Sequence, residues 1–92
     1  MEVKEAVTRA KQYVADLFAS EDISNVGLEE VEFDDGSNMW TVTIGFSRPW
    51  DKPINPLLAM TEGGPTTRAY KVVTIDDRLG KVKSVKNREM AS

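Results

Sequence analysis

Ninety-two residues, 40% of them apolar and 29% charged, describe one folded domain and leave no room for a second. The net charge of −3 argues against general nucleic-acid binding, which calls for a basic surface. The absence of cysteine and histidine excludes disulfides, thiolate metal sites, cysteine nucleophiles and imidazole chemistry.

The chain opens on a charged, amphipathic stretch without the apolar core of a signal peptide, and no run approaches the ~20 apolar residues needed to cross a bilayer. No membrane association and a cytoplasmic location are the expectation. Val3, Ala6, Val7, Ala10, Tyr13, Val14, Leu17 and Phe18 recur every three or four positions, which places them on one face of a helix. Lys4, Glu5, Thr8, Arg9, Lys11, Gln12 and Asp16 fall on the other. Without glycine or proline between residues 2 and 20, the helix is expected to run to about Ser20.

Residues 26–35 read as a first strand whose alternation slips. Val26 and Leu28 share one parity, Val31 and Phe33 the other, and a β-bulge near Glu29 and Glu30 reconciles them. Residues 34–38 (Asp-Asp-Gly-Ser-Asn) have the composition of a turn. Trp40, Val42, Ile44 and Phe46 then alternate with Thr41, Thr43 and Gly45 in a half-buried strand.

Order breaks from Ser47 to Thr67, which holds all four prolines and the Gly63-Gly64 pair. Connections this long in a small domain are usually functional. Trp50, Ile54, Leu57, Leu58 and Met60 would supply contact area there, with Arg48, Asp51 and Arg68 as a polar rim. In the competing reading the same apolar residues, Trp50 above all, fold onto the protein's own sheet and complete a thin core.

A third strand is expected over residues 68–75 and a shorter fourth over 81–86, joined by a turn. Asp76 and Asp77 suit its local hydrogen bonds, and Gly80 supplies positive φ. The two aspartate pairs, 34–35 and 76–77, are the closest acid–base candidates, and turn chemistry accounts for both. A faint calcium-loop pattern around Gly36 lacks the distal glutamate that completes such a loop. No phosphate loop or nucleophile motif is present, so no catalytic residue and no cofactor are assigned. Charge is segregated: seven acidic and no basic residues lie between 21 and 35, while Lys81, Lys83, Lys86 and Arg88 gather near the C-terminus. On separate sheet edges these would guard against aggregation or steer a charged partner.

The order helix, strand, Trp-led strand, then Tyr70-Lys71-Val72-Val73-Thr74-Ile75-Asp76 and Gly80-Lys81-Val82 resembles the PepSY-type module, with one extra residue in the Tyr-containing strand. The Asp34-Asp35-Gly36 turn before Trp40 and the long link to that strand also look like the gas-vesicle accessory protein O family. Neither resemblance carries over a catalytic residue; both imply accessory, inhibitory or assembly roles. The expectation is an α+β domain, one N-terminal helix on a three- to four-stranded antiparallel sheet. It binds another protein or a second copy of itself as a homodimer. A small-ligand carrier with a pocket between helix and sheet, or a proteinaceous enzyme inhibitor, is the alternative.

Overall fold

The computed structural model describes residues 1–49 and 68–88. One helix, α1 (Val3–Leu17), is followed by a short 3₁₀ turn at Ala19–Glu21 and four strands: β1 (Ser24–Asp34), β2 (Met39–Ser47), β3 (Ala69–Asp76) and β4 (Val82–Asn87). The strands form one antiparallel sheet in the order β1-β2-β3-β4, so every strand pairs with its neighbour in sequence. This is the α+β class expected from the chain. It follows from short connections at both outer hairpins, which hold sequential strands side by side.

Antiparallel register puts opposite residues on the same face. Trp40, Val42, Ile44 and Phe46 oppose Ile75, Val73, Lys71 and Ala69, and this face meets α1. Ala6, Ala10 and Val14, at helical spacing of four, are fully buried against it with Val42, Ile44, Phe46, Val73 and Ile75. The two alanines let the helix axis approach the sheet closely. Val7, Phe18, Val31 and Phe33 are half-buried and packed around it. Leu17 departs from expectation at 52% exposed. It lies one turn beyond Tyr13, on a flank of the helix where both side chains are exposed, while Phe18 takes the sheet-facing side. The Phe18 ring sits 5.3 Å from that of Phe46, and the Lys71 ammonium lies 5.4 Å from the Phe18 centroid while donating to Asn87 Oδ1.

The parity switch in β1 is a true bulge. Leu28 opposes Ile44 and Glu30 opposes Thr43, so Glu29 is the extra residue. Turn chemistry is as read for two of the aspartates. Asp34 accepts from Gly36 N at 3.0 Å and Ser37 Oγ at 3.0 Å. Asp76 Oδ1 accepts from Arg78 N at 2.8 Å and Leu79 N at 3.0 Å, and Gly80 closes the hairpin at φ 66°. The Gly80 carbonyl in turn accepts from Arg9 Nη1 at 3.1 Å, which ties the hairpin to α1.

Candidate functional site

α1 lies over β1, β2 and β3, so the opposite face of the sheet is free of helix among the described residues. That outer face is built in rows across the strands. Glu30, Thr43, Val72 and Lys86 form one row, and Glu32, Thr41, Thr74 and Ser84 the next. Each row begins on an acidic residue in β1, crosses threonine in β2, and reaches lysine or serine in β4. The segregated charge of the sequence therefore falls on opposite edges: Glu29, Glu30, Glu32 and Asp34 on β1, Lys83 and Lys86 on β4 with Arg88 just beyond it.

Arg88 folds back over this face. Its amide donates to the Tyr70 carbonyl at 3.3 Å and its guanidinium carbon lies 5.3 Å from the Tyr70 ring centroid. It borders two shallow hollows, one of about 350 Å³ with Arg68, Tyr70 and Asn87, the other of about 260 Å³ with Glu30, Glu32, Thr41, Thr43 and Val72. On the helix side, an open groove of about 570 Å³ separates the polar flank of α1 (Thr8, Arg9, Gln12, Tyr13, Asp16) from Gly80, Lys81 and Val82. Ala6, Ala10 and Val14 are fully buried against the sheet, and a further open groove of about 440 Å³ lies along the helix between Val3, Lys4, Val7 and Thr8 and Leu28 of β1.

Of the residues expected to bind, Arg48 and Arg68 are described; Trp50, Asp51, Ile54, Leu57, Leu58 and Met60 lie outside the described residues. Arg48 is half-buried and follows directly on β2. Arg68, expected as a rim residue, is a strut. Its Nη2 donates to the Asn25 carbonyl at 2.9 Å, and its Nε lies 3.8 Å from Glu29 Oε1 on the bulge. Both side chains pass over Gly45, where a Cβ would stand 2.8 Å from Glu29 Oε1 and 3.0 Å from Arg68 Nη2. Gly45 thus leaves the space through which β1 is pinned to the start of β3. The alternation of β2 shows Gly45 on the outer face, but not which pair crosses it.

Asp77 was expected to serve its own turn and instead holds Trp40, which donates from Nε1 to Asp77 Oδ1 at 2.8 Å. The Met1 nitrogen lies 3.3 Å from the same oxygen. The indole hydrogen bond above all keeps the Asp77 carboxyl below its ordinary acidity range, with the nearby amino group adding to it. A carboxylate depressed in the folded state stabilises fully above the unfolded value of 3.8 and loses that contribution as pH falls through the folded pKa. Asp77→Asn should therefore lower the urea midpoint more at pH 7 than at pH 2. A gap of equal size at both pH values would show that the charge on Asp77 plays no part.

Among the described residues no three histidine, cysteine, aspartate or glutamate side chains converge as a metal site, and no helix is long and apolar enough to cross a membrane. Comparison of the chain with protein-family models, with curated proteins and with solved structures gave no match.

Proposed function

We propose that this chain is a non-enzymatic accessory module that binds another protein through the connection between β2 and β3 and through its sheet edges. The observation that carries the reading is the pair of oppositely charged outer strands flanking a sheet face that α1 leaves uncovered. Exposed edge strands are surfaces that proteins use for recognition by strand addition. The polar groups described so far support that role: Asp34 and Asp76 close hairpins, Asp77 positions Trp40, and Arg68 braces the bulge.

The connection is assigned from its composition. Trp50, Ile54, Leu57, Leu58 and Met60 offer apolar anchors, and its prolines reduce the entropy lost when a loop is fixed against a partner. Kinship with PepSY-type modules or with the gas-vesicle accessory protein O family belongs to the same proposal. So do a cytoplasmic location and the absence of nucleic-acid, membrane and cofactor binding.

Replacing residues 49–65 by a short Gly-Ser linker tests this. The variant should keep the urea midpoint of the parent and lose the protein that the full chain captures from an extract of its native host. Unfolding of the variant would make the connection part of the core, and undiminished capture would place recognition elsewhere. The carrier reading is favoured by one observation, the 570 Å³ groove beside α1, which exceeds the roughly 300 Å³ of a small-molecule site. Stabilisation by a metabolite in a thermal-shift panel, abolished by Tyr13→Ala, would select it.

A further inference from the structure

The two edges of this sheet fit each other better than either fits itself. β1 and β4 run antiparallel to one another, because three antiparallel pairings separate them. A second copy shifted sideways therefore presents its β1 antiparallel to the first copy's β4, with both helices on the same side of the joined sheet. We propose that copies of this chain associate head to tail in this way, β4 of one continuing into β1 of the next. The proposal rests on the interaction reading above and names a second copy as a partner for the edges.

Side chains at the two ends of each row specify the match. On the outer face the row from Glu30 through Thr43 and Val72 ends at Lys86, so an unslipped sideways repeat sets Lys86 beside the next copy's Glu30. On the helix face the row from Val31 through Val42 and Val73 ends at Val85. Val31 and Val85 are only half-buried in the single chain, and the same repeat brings them together. A slip of one residue would put these partners on opposite faces.

The same charges act against a twofold dimer. Pairing β1 with β1 places Glu30, Glu32 and Asp34 against their own kind, and pairing β4 with β4 does the same to Lys83 and Lys86. Like charges directly opposite destabilise a strand pair. The homodimer expected from the sequence is thus replaced by a heterologous contact. Four strands at a spacing of ~4.8 Å advance each copy by roughly 19 Å. The sheet twist adds roughly 80–100° of rotation about the direction of advance. Rotation and translation along one axis do not close, so the product is an open chain of copies rather than a ring.

The chain has no cysteine of its own, so disulfide trapping reads the contact directly. Glu30 and Lys86 lie on opposite edges with two strands between them, roughly 14 Å apart at the usual strand spacing and too far for an internal disulfide. Oxidation of the E30C/K86C variant at low salt should give a ladder of dimers, trimers and longer species on a non-reducing gel. E30C alone and K86C alone should stay monomeric. Light scattering supplies the second arm: E30K/E32K and K86E/R88E should each remain monomeric, and an equimolar mixture of the two should associate as the parent does.

A monomeric double-cysteine variant, dimers from either single cysteine in equal yield, or failure of the mixture to restore association would each overturn the proposal. If that happens while the full chain still captures a foreign protein through residues 49–65, the interaction reading stands without it.

Discussion

Ile44→Ala should lower the stability of the chain by about 2–5 kcal/mol, measured as a shift in urea midpoint at unchanged m-value. Ile44 is fully buried at the centre of the sheet, between Leu28 on β1 and Lys71 on β3. The helix contributes Ala6, Ala10 and Val14 to the same buried cluster, and side chains this short cannot extend into a vacated site. In a domain this small, total stability is of the same order as the loss, so partial unfolding at 25 °C is part of the expected result. A change below about 0.5 kcal/mol, typical of surface positions, would mean that α1 does not cover β2 as described.

Phe46→Ala should cost about 3–5 kcal/mol, and here the loss has a named partner. Phe46 is fully buried, and the Phe18 ring meets it at 5.3 Å and a tilt of 35°. A double-mutant cycle with Phe18→Ala should return a coupling of about 0.5–1.5 kcal/mol, the range for tilted aromatic pairs. Additive losses would mean that Phe18 is held by Lys71 and the start of the 3₁₀ turn rather than by Phe46.

Much of the fold is legible because burial leaves a period in the sequence. The spacing of Ala6, Ala10 and Val14 marks the helix, and the alternation of Trp40, Val42, Ile44 and Phe46 marks a central strand. Even the bulge at Glu29 is visible, since an extra residue must flip the parity from Leu28 to Val31. Contacts that depend on register leave no such trace. Asp77 sits 37 residues from Trp40, and its composition signals a turn whether or not an indole reaches it. Arg68 reads as a rim residue because nothing local shows that Gly45 clears a path to Glu29. Leu17 has the right spacing for the core, but a helix end can overhang the sheet it crosses. The charge segregation was legible; its meaning came only with the strand order, which puts β1 and β4 on opposite edges. The apolar anchors assigned to the connection lie outside the described residues and rest on composition alone.

The central claim is that recognition uses the sheet edges together with the connection between β2 and β3, not the groove beside α1. Backbone amide exchange tests it most directly, comparing the dilute chain with the chain bound to its captured partner or to further copies. New protection should fall on residues 30–34 and 84–87, with α1 unchanged. Protection centred on residues 8–16 and 80–82, with both edge strands exchanging as in the dilute chain, would contradict the account.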